Sequence, residues 1–269
     1  MSNIVANITT LSTLDRAMRI LHAFSPEETE LSIGDLSRRL GIHKSIVSRM
    51  VASLRAWRLL EQDPGTRRVR IGIGAFQLGA LFVNRQRIHR VALPHLGVLV
   101  ERIRHSAHIA VLDPPQLVVI ASAESPQALR VILRVGERRY LHATAAGKVF
   151  LTFERPSLLA EVVRALGLPR LTEKTRTSLA GLRRELAIIR AEGIAWNNEE
   201  STRGAGAVAA PLFGEEGRIV GALSAVYPLS VVDRKELVAI SESVRATART
   251  ISMLLGGAPR SEAAPGRRV

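Results

Sequence analysis

The most constraining feature of this sequence is a pair of short amphipathic segments that meet at Gly41. Ser32 and Asp35 have the spacing of a capping box and predict a helix start, and Gly41 predicts where that helix ends. The next helix has apolar side chains at helical spacing, namely Ile46, Val47, Met50, Val51 and Leu54. Two short helices joined by a glycine-containing turn predict a helix-turn-helix.

The residues on either side extend this unit. Ser12 and Asp15 repeat the cap spacing and predict an earlier helix. Residues 59–62 and 67–72 predict two strands, because the turn sequence Asp-Pro-Gly-Thr separates them. A hairpin with a basic second strand, following a helix-turn-helix, predicts the wing of a winged helix domain.

Positive charge concentrates in the same region. The 269 residues include 38 Lys and Arg against 24 Asp and Glu, for a net charge of +14. Between Leu31 and Gly72, nine basic side chains face three acidic ones, for a net charge of +6. Such a patch favours a polyanionic partner, so we expect double-stranded DNA.

The polar face of the helix after Gly41 carries Lys44, Ser45, Ser48 and Arg49, which we predict to face the major groove and read bases. We predict phosphate contacts for the arginines of the preceding helix and the wing, which are Arg38, Arg39, Arg67, Arg68 and Arg70. The alternative is a solvated helix face beside an ordinary surface hairpin.

The rest of the chain predicts an α+β domain. Predicted strands cover residues 108–112, 117–123, 129–135, 195–198, 205–213 and 218–227, and predicted helices cover residues 144–153, 158–166, 179–192 and 233–255. We therefore expect a winged helix-turn-helix domain over 1–73, a linker helix over 74–89, a second domain over 90–257 and a disordered tail over 258–269.

Several classes of protein are excluded or disfavoured. The chain has no Cys, which removes disulfides, Cys-ligated metals and thiol nucleophiles. The seven His have no metal-ligand spacing, residues 142–149 lack a Walker pattern, and no Gly-x-Ser-x-Gly is present. We therefore expect no enzyme activity, metal or cofactor. Without a secretory signal or a long apolar run, we expect a cytoplasmic protein with no membrane partner.

Four stretches resemble the IclR family of bacterial transcription regulators, in the family's order and across nearly the whole chain. They are Leu14-Asp15-Arg16-Ala17 with Ile20-Leu21, residues 40–49 (LGIHKSIVSR), residues 141–148 (LHATAAGK), and Glu199-Glu200 with Gly204 and Ala209-Ala210-Pro211. The resemblance implies an N-terminal domain on a palindromic operator, a GAF-like C-terminal domain that binds a small organic effector, and a homodimer or dimer of dimers.

The resemblance also implies where the effector binds. Ala145, Ala146 and Gly147 would open a helix whose backbone N–H groups bind a carboxylate, and the alternative is a tightly packed helix start. Across the pocket the resemblance places Asn198, Ala205, Ala207 and Ser224. Ser224 would bond the effector or be satisfied within its own sheet. A carboxylate or aromatic acid is the implied effector class.

The sequence departs from the family pattern at several positions. Arg58 stands where a helix-ending Gly is common, and Val69 where the wing commonly has an aromatic residue. Ala207 and Val226 replace residues that are often Cys and Ser, which predicts a less polar pocket. Glu199 and Glu200 resemble a paired-carboxylate motif, but adjacent residues of an extended chain point to opposite faces and cannot jointly flank one bond unless the backbone bends. We therefore expect salt bridges, for instance to Arg203, rather than acid–base catalysis.

Two other functions remain open at this point. One is a nonspecific or architectural DNA-binding protein, for which basicity alone would suffice. The other is an enzymatic or ligand-binding module with a vestigial DNA-binding domain. The large C-terminal domain disfavours a nonspecific DNA-binding protein, and the intact basic patch disfavours a module with a vestigial DNA-binding domain.

Overall fold

A computed structural model describes residues 12–257, and the predicted disordered tail, 258–269, lies outside the described residues. The chain divides into two compact units, of which the first ends at Arg85 and the second begins at Gln86. Within the described residues, no helix is long and apolar enough to cross a membrane.

The N-terminal unit is a winged helix-turn-helix. Its elements are α1 (Thr13–Leu21), β1 (Glu30–Leu31), α2 (Ile33–Leu40), α3 (Lys44–Ala56), β2 (Leu60–Gln62), β3 (Val69–Ile71) and α4 (Ile73–Arg85). The strands form an antiparallel sheet in the order β1-β3-β2. The structure adds the strand β1 to the predicted hairpin. The sequence pattern does not predict this strand, because two residues are too few to show an alternation of buried and exposed side chains.

Both predicted capping boxes are present. The Ser32 hydroxyl accepts a hydrogen bond from the Asp35 backbone N–H at 3.0 Å, and the Asp35 carboxylate accepts one from the Ser32 backbone N–H at 3.0 Å. The Ser32 hydroxyl also donates to the Asp35 carboxylate at 2.7 Å, and this bond, together with the bond from the Ser32 backbone N–H, holds the pKa of Asp35 down to about 2. Gly41 ends α2 in the left-handed conformation, at φ 65°. The buried core of this unit includes Leu36, Val47, Met50, Val51 and Leu54.

Arg58 also has a left-handed backbone, at φ 58°. Its carbonyl oxygen accepts a hydrogen bond from the Gly74 N–H at 2.8 Å. A Cβ on Gly72 or Gly74 would lie within 2.8 Å of that same oxygen, so both positions require glycine. The turn after α3 therefore packs backbone on backbone and holds a non-glycine residue in a conformation that costs about 1 kcal/mol.

We expect Arg58→Gly to raise the free energy of unfolding by up to about 1 kcal/mol, because glycine adopts a positive φ without the Cβ clash. Thermal and urea unfolding of the full chain measure this change. Arg58→Ala is the matched control, because it removes the same side chain and retains the Cβ. Equal stabilisation by both substitutions would attribute the effect to charge rather than to the backbone.

The predicted linker helix, 74–89, corresponds to α4, which ends at Arg85. Gln86 is extended, with φ −78° and ψ 101°, and α5 (Arg87–Ile103) begins directly after it. A break in the helix at Gln86 thus coincides with the division between the two compact units.

The C-terminal unit is an α+β domain, as predicted. Its further elements are β4 (Ser106–Asp113), β5 (Gln116–Ala123), β6 (Arg138–Tyr140), α6 (Ala145–Phe153), α7 (Leu158–Leu166), α8 (Leu179–Glu192), β7 (Ala195–Asn198), β8 (Ala205–Phe213), β9 (Ile219–Pro228) and α9 (Arg234–Leu254). The six strands form one antiparallel sheet in the order β6-β5-β4-β9-β8-β7.

Each face of this sheet buries a separate apolar cluster. On the α9 face, strand residues such as Ile109, Val208 and Leu223 pack with side chains of α5 and α9. On the α6 face, small residues such as Ala207 and Ala222 pack with side chains of α6, α7 and α8. The sheet is therefore the middle layer of the domain, and strand register decides which face each side chain joins.

The predicted strand over residues 129–135 is wrong, because this segment is irregular. The edge of β5 is already paired: Gly136 donates to the Val119 carbonyl at 2.8 Å, and the Val119 N–H donates to Glu137 at 3.0 Å. β6 then continues this pairing. Val131 and Leu133 still pack against the α6-face cluster. Apolar residues at every second position therefore mark partly buried side chains here, without strand pairing.

Candidate DNA-binding surface and effector site

Helix α3 presents the predicted base-reading residues on one exposed face. Lys44, Ser45, Ser48 and Arg49 are all exposed, because the apolar residues of α3 turn toward the core. His43 caps the helix, with its Nδ1 atom 2.9 Å from the Ser45 hydroxyl. Among residues 12–257, neither Lys44 nor Arg49 forms an ion pair, so both cations are available to a ligand.

The predicted phosphate-contacting arginines fall into two groups. Arg39 donates to Glu28 at 2.5 Å and to the Ala23 carbonyl at 3.1 Å, and Arg70 lies 3.5 Å from Glu30 and 3.3 Å from Glu61. These two side chains support the domain itself.

The other three arginines are all exposed to solvent. Arg38 pairs with Asp35 on the surface of α2, where water weakens the pair. Arg68 donates to the Glu30 carbonyl at 2.9 Å, and Arg67 is exposed at the end of the wing turn with φ 58°. All five retain some exposure. Three of them, Arg38, Arg39 and Arg70, have acidic partners that DNA would have to displace, and Arg38 is the most exposed of these three.

A groove of about 600 Å³ lies between the C-terminal end of α3 and the wing. Its lining includes Arg55, Arg58 and Arg70 together with Glu61 and Asp63. Arg55 and Arg58 belong to the basic stretch of residues 31–72 but are not among the predicted contacts, since nothing in their spacing distinguishes them. Arg55 lies in the last turn of α3 and Arg58 follows the helix, so the groove adds two cations near the predicted DNA-binding helix.

In the C-terminal unit, register brings three predicted effector residues to the α6 face. Ala207 pairs with Asn197 and Val226, and Ser224 pairs with Ala209. Directly opposed residues of antiparallel strands point to the same face. Ala205, two residues before Ala207, joins the same face.

Register separates Asn198 from the other predicted residues. It pairs with Gly206, where a Cβ would meet the Tyr227 ring on the α9 face, and its side chain is exposed. The neighbouring Asn197 is the asparagine on the α6 face, and it is buried. Its side-chain amide donates to the Ala143 carbonyl at 2.6 Å. The sequence has two adjacent asparagines, and only the strand pairing distinguishes them.

The start of α6 is closely packed. Thr144 caps the helix, and its hydroxyl accepts from the Gly147 N–H at 3.1 Å. A Cβ on Gly147 would lie 2.3 Å from the Leu141 carbonyl oxygen, and Ala145 and Ala146 are buried. The Ser224 hydroxyl donates to the Val208 carbonyl at 3.1 Å, which leaves its oxygen able to accept. The fold therefore contains both a tightly packed helix start and a Ser224 hydroxyl that bonds within its own sheet, which are the alternatives to effector contacts at these residues.

Lys148 is a charged residue of α6 whose side chain has no exposed surface. Its ammonium donates to Glu200 at 2.6 Å, to Glu185 at 2.7 Å and to the Trp196 carbonyl at 3.0 Å. Burial raises the pKa of Glu200, and the Lys148 charge opposes that shift. The ammonium thus joins α6, α8 and the end of β7.

The expected salt bridges of Glu199 and Glu200 are confirmed, but the example partner was wrong. Glu199 pairs with Lys174 and accepts from the Gly204 N–H at 2.7 Å, whereas Arg203 pairs with Glu173 at 3.0 Å. Within the described part of the chain, no group of three or more His, Asp or Glu is arranged to hold a metal ion.

We expect Lys148→Met to lower the free energy of unfolding by about 3–5 kcal/mol, because the buried carboxylate of Glu200 loses the ammonium that it contacts at 2.6 Å. Arg176 also pairs with Glu185, but it is half exposed and lies 4.0 Å from Glu200, so it replaces the buried cation poorly. Urea unfolding followed by circular dichroism measures the loss. Lys174→Met is the matched control, since Lys174 is 56% exposed and its pair with Glu199 should contribute less than about 1 kcal/mol. Similar losses in the two variants would contradict a special role for the buried ammonium.

Comparison with known proteins agrees with this architecture. The IclR helix-turn-helix domain model matches residues 13–64, and the model of the bacterial transcriptional regulator IclR C-terminal domain matches residues 80–253. The solved Thermotoga maritima IclR has a TM-score of 0.77 at 25% identity and covers 92% of this chain and 100% of its own.

Curated relatives and a ligand complex extend the comparison. The regulator BhcR of Paracoccus denitrificans is 33% identical, covering 93% of this chain and 88% of its own, and XynR of Escherichia coli is 30% identical, covering 91% and 98%. A Microbacterium hydrocarbonoxydans IclR homologue, solved with 4-hydroxybenzoate, is 28% identical with a TM-score of 0.80 and covers 91% and 99%. With both of its domains matched, this chain belongs to the IclR family of bacterial transcriptional regulators.

Proposed function

We propose that this regulator binds a palindromic operator as a homodimer and that a small organic acid, bound on the α6 face, changes its affinity for DNA. The observation that carries the proposal is the exposed face of α3, where Lys44 and Arg49 have no ion-pair partner among the described residues. A recognition helix needs such free donors, because base edges in the major groove are read through hydrogen bonds.

Arg49 is the residue best suited to read a base. It lies in the second turn of α3, and a guanidinium can donate two hydrogen bonds to guanine O6 and N7. Lys44, Ser45 and Ser48 share its face. Arg38, Arg67 and Arg68 are suited to phosphates, where they would fix the position of the domain without reading sequence.

We expect Arg49→Ala to weaken operator binding by about 1–3 kcal/mol and to reduce discrimination between operator and scrambled duplexes. The operator is obtained from DNA upstream of the protein's own gene or by selection from random duplexes, and fluorescence anisotropy at physiological salt gives both affinities. A preference of about 10³ or more for the operator identifies a specific regulator.

Arg38→Ala is the matched control for this measurement. Because Arg38 is assigned to phosphate, its loss should weaken both duplexes by the same factor. If Arg49→Ala also weakens both duplexes equally, α3 does not read bases through Arg49. Equal binding of both duplexes by the unchanged protein would instead favour a nonspecific DNA-binding protein.

The homodimer is supported by the apolar surface of α4. Phe76, Leu78, Leu81 and Phe82 are each more than half exposed. A helix this apolar is ordinarily covered on several sides. Exposed apolar patches of this kind mark protein–protein contacts, and a second copy of the same helix is the simplest cover.

We expect Leu81→Glu to convert the dimer to a monomer, because the substitution would bury a carboxylate in an apolar interface. Multi-angle light scattering after gel filtration measures the mass. Gln77→Glu is the control, since it adds the same charge to an exposed polar position of α4 and should leave the dimer intact. A dimer that survives Leu81→Glu would place the interface elsewhere.

A small acid is the effector class that the α6 face favours. Its strand residues are small, including Ala205, Ala207 and Ala209, which suits a compact apolar or ring-bearing ligand. The homologous complex with 4-hydroxybenzoate supports an aromatic acid. Such a ligand alters DNA affinity only if it binds one dimer geometry better than another.

A further inference from the structure

One buried histidine on the α6 face has a polar atom with no partner. His108, on β4, is only 5% exposed, and its Nδ1 atom makes no hydrogen bond within the described residues. A buried polar atom without a partner destabilises a fold, so such atoms are uncommon and need a reason. His142 also has an unpaired Nδ1, but its Nε2 is anchored to the Pro169 carbonyl at 3.0 Å.

Register places His108 among the effector residues. It pairs directly with Ser224 on β9 and with Ser122 on β5, so all three side chains share one face. Ser224 is itself paired with Ala209 on β8. A row of polar side chains therefore crosses the strands beside the alanines of the α6 face.

The imidazole is suited to an uncharged polar group. Burial lowers the pKa of His108 to about 3, and the positive charge of Arg139 adds to this shift. The ring is therefore neutral at physiological pH, with one nitrogen that donates and one that accepts. A hydroxyl group satisfies either form of Nδ1, and a carbonyl oxygen satisfies the form that donates.

We infer that His108 determines effector specificity by hydrogen-bonding, through Nδ1, to an uncharged oxygen substituent of the acid. The inference rests on the proposed effector site on the α6 face. It assigns the ligand a second polar group besides its carboxylate, because a hydrogen bond to His108 would satisfy the buried nitrogen that the fold leaves unpaired.

The test uses two pairs of acids that differ by one oxygen, 4-hydroxybenzoate with benzoate and lactate with propionate. Isothermal titration calorimetry of the full-length protein gives their dissociation constants. We expect the unchanged protein to prefer the oxygen-bearing member of at least one pair by about tenfold. His108→Leu should abolish that preference while binding of the other member remains, and His108→Asn, which keeps a polar atom near the Nδ1 position, should restore part of it.

A second measurement needs no ligand. If the unpaired nitrogen is retained for binding, His108→Leu should raise the melting temperature by about 2–4 °C. A fall in melting temperature would identify a structural histidine and overturn the inference. Ile251→Val, which reduces packing on the α9 face, is the control for general effects on the domain and should leave the acid preference unchanged.

The outcomes separate the two proposals. If His108→Leu weakens both members of a pair equally, or changes neither, the role of His108 is overturned and the effector site stands. If none of the four acids binds the unchanged protein, the small-acid effector and the inference both fail.

Discussion

A lysine ammonium that is completely buried must find its counter-charges inside the protein, and in the C-terminal domain Lys148 finds them on Glu185 and Glu200. These carboxylates lie on α8 and after β7, so neutralising one charge fixes the position of α6 relative to both. Asn197 adds a second tie through the Ala143 carbonyl. These contacts therefore hold together the elements that border the candidate effector site.

The two faces of the sheet differ in the size and polarity of the side chains that they present. On the α9 face, large side chains such as Ile109, Leu223 and Tyr227 pack against two long helices. The α6 face has alanines interrupted by His108 and Ser224. Small and polar side chains bury less apolar surface, which suits the face on which the effector is proposed to bind. The proposed effector site therefore lies on the face with the smaller side chains, which the charge cluster around Lys148 also stabilises.

The arginines of the winged helix domain differ in whether acidic residues of the same domain hold them. Arg39 and Arg70 are held by acidic residues of the same domain, whereas Arg49 is not. A net charge of +6 over residues 31–72 therefore overstates the number of cations that are free to meet DNA. Exposure and pairing, rather than charge alone, distinguish residues that stabilise the domain from those that can bind.

The sequence by itself determined the local structure: caps at Ser12 and Ser32, the turn at Gly41 and the apolar stripe of α3 follow from interactions within a few residues. The spacing of apolar residues also predicted the α+β class and most of the strands. Only the tertiary structure decided that residues 129–135 do not pair, that Asn197 rather than Asn198 faces α6, and that Lys148 is buried between two carboxylates. Each of these depends on register or on partners distant in the chain, and strand pairing and burial are set there by the whole domain.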